Sequence, residues 1–208
     1  AYVIFNSMLE FLQDFIPEAS YGQVAALLSD DNLVVKVKKE RKTRHGDYRL
    51  LPSGKHLITI NSNLNPYRFL ITLIHEIAHF ETYKSYGKKI KPHGPEWKSV
   101  FQQLMLGFLR PEVFPSDVLP LLASHFKKPK ASSDSDSVLA LKLKQYDPPN
   151  GKIFIFEVPF GSTFKLHNGK LFRKGSKRRT RFEGTELTTG RLYVFNPNAE
   201  VMLVKDLE

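Results

Sequence analysis

The sequence predicts an α+β fold, in which helices pack on a small sheet and a small β-rich domain follows. Three observations lead to this prediction. Apolar residues recur at helical spacing in several N-terminal segments, and segments with strand-like alternation lie between them. Residues 138–208 contain short apolar runs separated by turn sequences such as HNG, TTG and NPN. KKPKASSDSDS, between the two parts, has the composition of a linker. We therefore predict a domain at 1–126, a linker at 127–137 and a basic β-rich domain at 138–208.

Four segments of the N-terminal part have a defined pattern before residue 65. Residues 6–16 and 21–30 have the apolar spacing of short helices. Residues 32–51 resemble an extended pair with a turn near RHGDY, and residues 55–64 alternate like a further strand. Helices and a small sheet are therefore expected ahead of the longest helical segment.

The overall composition is that of an ordinary globular protein, with 41% hydrophobic and 25% charged residues among 208. No segment approaches the run of roughly 18 apolar residues that a membrane-spanning helix needs, and the start of the chain lacks a basic region typical of a signal peptide. We expect a cytoplasmic protein that does not interact with membranes. Because the chain has no cysteine, a disulfide framework, a thiolate nucleophile and a cysteine zinc site are excluded.

The longest helical segment carries a metal-binding pattern. Asn65 is a good N-cap, and apolar residues then recur every three or four positions until Gly87. His75 and His79 are four residues apart, so both imidazoles lie on one helix face and can bind one ion. Glu76 completes an HExxH pattern, in which the glutamate acts as general base on a water that zinc activates.

A catalytic zinc normally has three protein ligands, so a third one must follow. A metzincin would have Gly and His where this chain has Thr82 and Ser85, which excludes that class. Glu96 remains an alternative, in the manner of thermolysin. His93 is the better candidate, because it stands just before a second amphipathic helix that begins near Pro95 and neutral imidazole suits zinc.

The sequence HEIAHF, followed by HGPEW, resembles the signature of the SprT-like metalloprotease family, over roughly residues 1–110. The resemblance implies a zincin-like metalloprotease domain with HExxH on the active-site helix, Zn²⁺ bound by His75, His79 and His93, and Glu76 as the catalytic base. The family includes the Spartan protease, which degrades proteins crosslinked to DNA, so DNA-associated protein substrates are implied as well. An exposed strand at 41–49 would then border the groove, where zincins lay a peptide against a sheet edge.

The C-terminal domain departs from the family pattern, since SprT-like proteins often carry a zinc ribbon with paired cysteines there. The chain instead concentrates its net charge of +10 in this part, with 13 Lys/Arg against 7 Asp/Glu in residues 138–208. Eight basic residues between 165 and 181, interleaved with phenylalanines, could bind phosphates while the aromatic rings stack on unpaired bases. The candidate nucleic-acid-binding residues are Lys165, Lys170, Arg173, Lys174, Lys177, Arg178, Arg179 and Arg181, and the candidate stacking residues are Phe164, Phe172 and Phe182. A solvated basic face above a phenylalanine core is the simpler alternative.

The sequence thus leaves three functions open. The first is a zinc-dependent metalloendopeptidase that acts on a protein or peptide substrate associated with DNA. The DNA would be single-stranded, or it would be bound without sequence preference. The second is a nucleic-acid-binding module whose zinc site is structural or weakly active. The third is a peptidase whose basic tail recruits an acidic protein. Tyr83 or Tyr86 could stabilise the oxyanion, but the spacing does not choose between them.

Overall fold

A computed structural model describes residues 10–41, 44–127 and 136–204 of the chain. The chain divides into two compact units, Ala1–Asp147 and Pro148–Glu208. Most of the predicted linker, the first residues of the predicted N-terminal helix and part of the predicted turn between two strands lie outside the described residues. Helices and strands are both present, which confirms the α+β class. Within the described ranges, no helix is both long enough and apolar enough to cross a membrane.

In its described part, the first unit has a three-stranded sheet and five helices with defined bounds, and residues 10–12 are helical as well. Its helices are α1 (Tyr21–Leu27), α2 (Pro66–Tyr86), α3 (Pro95–Leu106), α4 (Leu119–Lys127) and α5 (Ser137–Lys144), and its strands are β1 (Leu33–Lys38), β2 (Gly46–Leu50) and β3 (His56–Asn61). Two 3-10 turns, Gln13–Phe15 and Glu18–Ser20, precede α1. The long helix predicted from the HExxH segment is therefore present as α2.

The sheet has the strand order β1-β3-β2. β3 pairs with β1 in parallel and with β2 in antiparallel orientation. The prediction that residues 32–51 form an adjacent strand pair is wrong, because β3 lies between β1 and β2. Five of the six residues of β3 are buried, as expected for a central strand covered on both sides. β2 is consequently an edge strand.

The core of the first unit forms where α2 lies on this sheet. Phe69, Leu73 and Ile77 of α2 are fully buried, as are Ile58 and Ile60 of β3. Each such side chain contributes roughly 1.5–3 kcal/mol by leaving water. This burial fixes the helix that carries the HExxH pattern rigidly against the sheet.

The predicted domain boundary differs from the structure. Residues 138–147, which the sequence assigns to the C-terminal domain, belong to the first unit, and Leu139 and Leu143 of α5 are buried in its core. Hydrogen bonds and an ion pair join the end of α5 to the start of α2. Asn65 Nδ2 donates to Leu143 O at 2.9 Å and to Asp147 Oδ1 at 2.6 Å, and Arg68 Nη1 lies 3.2 Å from Asp147 Oδ2. α5 is only two turns long, so its sequence gives a weak helical signal.

The second unit is a six-stranded antiparallel sheet. Its strands are β4 (Ile153–Phe154), β5 (Thr163–Lys165), β6 (Leu171–Arg178), β7 (Arg181–Glu186), β8 (Leu192–Phe195) and β9 (Glu200–Leu203), in the order β4-β9-β5-β6-β7-β8. Its small core contains Ile155, Val158, Phe164, Phe172 and Val201. The short strands expected from the turn-separated apolar runs are thus present.

Candidate metal centre and basic surface

Three histidine side chains converge at one point in the first unit. α2 directs His75 and His79 to the same side, and His93 approaches from the connection between α2 and α3. The Nε2 atom of His93 lies 3.0 Å from Nε2 of His79 and 3.2 Å from Nε2 of His75. Two imidazole nitrogens on a tetrahedral ion, each about 2.0–2.1 Å from it, would be roughly 3.3 Å apart. The cluster therefore has the size of a tetrahedral metal site.

Trp97 fixes the three imidazole rings in place. Its side chain is buried at the start of α3, and its ring centroid lies 4.6 Å from that of His75, 5.1 Å from that of His79 and 4.7 Å from that of His93. His93 itself has a φ of 59°, a left-handed conformation that is uncommon for residues other than glycine. This bend at His93 turns the chain towards the centre just before α3 begins.

The electrostatics favour neutral imidazoles. Burial, followed by the neighbouring histidines, lowers the pKa of His75 to about 3. Burial and His93 lower the pKa of His79 to about 4, and burial together with Lys98 lowers the pKa of His93. Neutral imidazole is the form that binds metal. Three such donors fit a divalent ion such as Zn²⁺, and Glu96 does not belong to this cluster in the described part of the chain.

Glu76 lies beside the histidines and is enclosed by β2. Its side chain is buried, which raises its pKa to about 8, with the nearby carboxylate of Asp47 adding to the effect. Gly46 is what allows β2 to come this close. A Cβ atom added at Gly46 would lie 2.5 Å from Glu76 Oε1 and 2.7 Å from Thr72 Cγ2, so a larger residue would displace either the glutamate or the strand.

Arg41 fixes the chain that leads into β2. Its guanidinium donates to Asn61 Oδ1 at 2.9 Å, and to the hydroxyl and the carbonyl oxygen of Thr59 at 2.8 and 3.0 Å. Asn61 in turn donates to the carbonyl oxygens of Arg41 and Arg44 at 3.0 and 2.9 Å. The position of Gly46 beside the glutamate is therefore determined by a polar network with several contacts.

The free side of β2 offers hydrogen-bonding groups to an extended chain. The hydrogen bonds from Asn61 N to His45 O, 2.9 Å, and from Leu51 N to Lys55 O, 2.8 Å, show which residues of β2 bond to β3. Every second residue along β2 does so, and the residues between them do not. The peptide groups of Gly46 and Tyr48 accordingly point away from β3. The described structure thus has an open strand edge next to the three histidines.

A cleft of about 510 Å³ contains the histidines and this edge. Tyr83 lines it, whereas Tyr86 is 54% exposed and is not among the lining residues. Tyr48, which the sequence analysis did not select, also lines the cleft. Its hydroxyl lies 2.8 Å from Nδ1 of His56, and its ring lies parallel to that of His79 with the centroids 6.0 Å apart. Tyr48 reaches the cleft because β2 pairs with β3. No motif or spacing in the sequence indicates this position.

The predicted nucleic-acid-binding residues fall into three groups in the second unit. Five of the eight are exposed with no acidic partner in the described structure. They are Lys165, Arg173, Lys177, Arg179 and Arg181. Two others are exposed but in ion pairs, Lys170 with Glu186 at 2.8 Å and Arg178 with Glu183.

Lys174 must be removed from the predicted set. It is only 6% exposed, and its ammonium group donates to Val158 O and lies 4.3 Å from the centroid of the Phe182 ring. Its strand position explains this, because Lys174 alternates with the exposed Arg173 and faces the core. A phosphate group at the surface cannot reach its ammonium group.

The predicted stacking residues also lie elsewhere than expected. Phe164 and Phe172 are buried and Phe182 is half-buried, so they fill the core, as the simpler alternative proposed. Phe160, which was not selected, is 76% exposed. The next residue, Gly161, donates its N–H to Lys174 O at 2.9 Å, which places Phe160 alongside the basic strand β6. No periodicity marks Phe160, because it lies in a turn.

Comparison with known families agrees with the geometry of the first unit. Residues 9–115 match the model of the SprT-like family. No solved structure matches the chain. The family match covers about half of the chain and includes α2, His93 and α3, which together form the candidate metal centre. The chain belongs to the SprT-like family.

Proposed function

We propose that this protein is a zinc-dependent metalloendopeptidase that acts on DNA-associated proteins. One observation carries the proposal, namely the convergence of three neutral imidazoles beside the buried Glu76 and an open strand edge. Imidazole donors suit Zn²⁺, and three protein ligands leave a position for substrate or water, as catalytic zinc sites require. Membership of the SprT-like family supports the metallopeptidase assignment.

Each residue around the candidate metal centre would have its own role in peptide hydrolysis. The three histidines would hold Zn²⁺, which supplies Lewis-acid activation of a water molecule and of a peptide carbonyl group. Glu76 would accept a proton from the attacking water at a carboxylate oxygen and later deliver it to the leaving amine. Gly46 and Tyr48 would bind the substrate backbone through their outward-facing peptide groups. Trp97 would keep the histidine rings aligned.

The link to DNA rests on the second unit. Its five unpaired basic side chains could displace counterions from phosphate groups, and the exposed ring of Phe160 could stack on an unpaired base. This surface would bring the enzyme to proteins on DNA. The same observation favours the second candidate function, a nucleic-acid-binding module whose zinc site is structural or weakly active.

The decisive experiment measures cleavage of a DNA-binding protein by the zinc-loaded chain, with and without single-stranded DNA. The control is Glu76→Gln, which keeps the shape of the side chain and removes its basicity. We expect cleavage that depends on Glu76 and increases with DNA. Equal cleavage with and without DNA would indicate a general peptidase. No cleavage by the zinc-loaded protein under either condition would favour the nucleic-acid-binding module.

The ligand assignment has its own test. His93→Ala should lower zinc affinity strongly, because two protein ligands hold zinc much less tightly than three. The matched control is His167→Ala, at an exposed residue in the second unit. Unchanged zinc affinity in His93→Ala would refute the assignment.

A further inference from the structure

The residues that line the cleft carry an excess of positive charge. Arg44, just before β2, is a lining residue, as are Lys88 and Lys91 in the connection between α2 and α3. The acidic lining residues are Asp47 and Glu76. A divalent ion held by the three histidines would add two further positive charges to this cleft.

Asp47 offsets the charge of Arg44, so the positive charge available to an incoming ligand is that of the two lysines. Asp47 is already engaged by two arginines, since its Oδ1 lies 2.5 Å from Arg44 Nη1 and its Oδ2 lies 3.7 Å from Arg49 Nε. Glu76 is buried beneath β2. Ion pairs of the described residues include neither Lys88 nor Lys91. Both lysines are exposed and thus available to a ligand in the cleft.

The shape of the site indicates what kind of anion this charge would meet. The open edge of β2 presents the peptide groups of Gly46 and Tyr48, and a polypeptide in extended conformation is the ligand that pairs with such an edge. In an extended peptide, side chains project alternately to the two sides of the backbone. Carboxylate side chains of the bound segment would therefore lie in the same cleft as Lys88 and Lys91.

We propose that the cleft selects extended peptide segments rich in Asp and Glu, with Lys88 and Lys91 as the residues that determine this preference. The inference rests on the proposed function, because it assumes that a peptide occupies the cleft. It also distinguishes the cleft from the basic surface of the second unit, which would bind DNA. The enzyme would then cut acidic stretches of a DNA-associated protein and spare the basic stretches that contact phosphate groups.

The expected size of the effect follows from the exposure of the lysines. A solvent-exposed ion pair contributes about 0.7 kcal/mol, or roughly threefold in affinity. Two such pairs predict a preference of roughly tenfold at low salt, which weakens as ionic strength rises because exposed charges are screened.

The test measures binding of two fluorescent peptides of equal length to the zinc-loaded Glu76→Gln protein, so that affinity is read without hydrolysis. The peptides differ only in that one carries Asp and Glu where the other carries Lys. Both are acetylated and amidated, so that every charge comes from side chains. We expect roughly tenfold tighter binding of the acidic peptide. Equal affinities would overturn the proposal.

Three further variants in the Glu76→Gln background locate the preference. The combination Lys88→Glu and Lys91→Glu should abolish it. The matched control, Lys36→Glu with Lys55→Glu, makes the same charge change at two exposed residues that do not line the cleft, and should retain the preference. The third variant, Lys177→Glu, reports binding to the second unit. A preference that survives the change at Lys88 and Lys91, or that disappears with Lys177→Glu, would overturn the proposal.

The wild-type chain separates this proposal from the proposed function. If it cleaves neither peptide while the Glu76→Gln protein still prefers the acidic one, the peptidase assignment fails and the preference stands. If it cleaves both peptides at equal rates and the binding affinities are also equal, the preference fails and the peptidase assignment stands.

Discussion

Replacement of Asn65 should destabilise the first unit by more than the loss of an ordinary helix cap. The Asn65 side chain accepts hydrogen bonds from the N–H groups of Tyr67 and Arg68, at 3.1 and 3.0 Å, and it donates to Leu143 O and Asp147 Oδ1. A lost N-cap costs about 1 kcal/mol. A lost neutral hydrogen bond costs about 1 kcal/mol, and a lost bond to a charged group about 1.5–3 kcal/mol. We therefore expect Asn65→Ala to lower the free energy of unfolding by about 3 kcal/mol or more.

Asn65→Ser separates the two contributions. A serine keeps the cap but is too short to reach Leu143 and Asp147, so it should cost about 1 kcal/mol less than alanine. The assay is urea unfolding followed by the fluorescence of Trp97, the only tryptophan, which is buried in the first unit. Asn63→Ala, at an exposed asparagine two residues earlier, is the control and should change stability by no more than about 0.5 kcal/mol. Equal costs for serine and alanine, or an alanine cost below about 1 kcal/mol, would refute this reasoning.

Three other predictions concern the edge strand, the second unit and an exposed ion pair. Gly46→Ala should lower the rate of peptide hydrolysis roughly 100-fold, because its Cβ would displace Glu76 by about 1 Å, while zinc affinity stays unchanged. Lys174→Met should leave DNA affinity unchanged, whereas Arg179→Glu should lower it several-fold. Asp30→Asn should have its full destabilising effect above the ordinary aspartate pKa of 3.8, because the hydrogen bonds of Asp30 lower its folded-state pKa below that value. The effect should disappear as the pH falls through the lowered pKa.

Each of these has an outcome that contradicts it. Full hydrolytic activity in Gly46→Ala would mean that β2 shifts and leaves Glu76 in place, and DNA binding lost in Lys174→Met would place that lysine at the surface after all. For Asp30, stability is measured from Trp97 fluorescence across the acid range. The lowered pKa comes first from the backbone N–H of Asn32, 3.0 Å away, and then from the ammonium group of Lys84, also 3.0 Å away. A stability difference that stays constant from neutral to acidic pH would show that the carboxylate charge is not involved.

The sequence predicts the metal-centre residues more fully than it predicts the fold around them. His75 and His79 could be placed together because residues four apart on a helix share a face. His93 could be selected because Pro95 marks the start of the next helix. These are local rules, and they act within a few residues of the motif.

The features that were missed depend on contacts between distant residues. β1 and β2 were expected to pair because they are neighbours in sequence, but the doubly buried β3 requires a partner on each side. The last helix of the first unit was assigned to the second domain because nothing local shows that Asn65 binds Leu143 and Asp147. Likewise, a basic run in a strand does not show which of its residues face inwards, so Lys174 was misassigned.

Among the residues that the structure describes, the candidate centre is formed by the imidazole nitrogens of three histidines, in a chain without cysteine. Thiolate ligands are lost when sulfur is oxidised to a sulfenic acid or a disulfide, and the metal is then released. Imidazole ligands are not subject to that oxidation, so the donor set stays the same in oxidising and in reducing surroundings. Protons, which compete with metal for the same nitrogen atoms, would govern release of the ion instead.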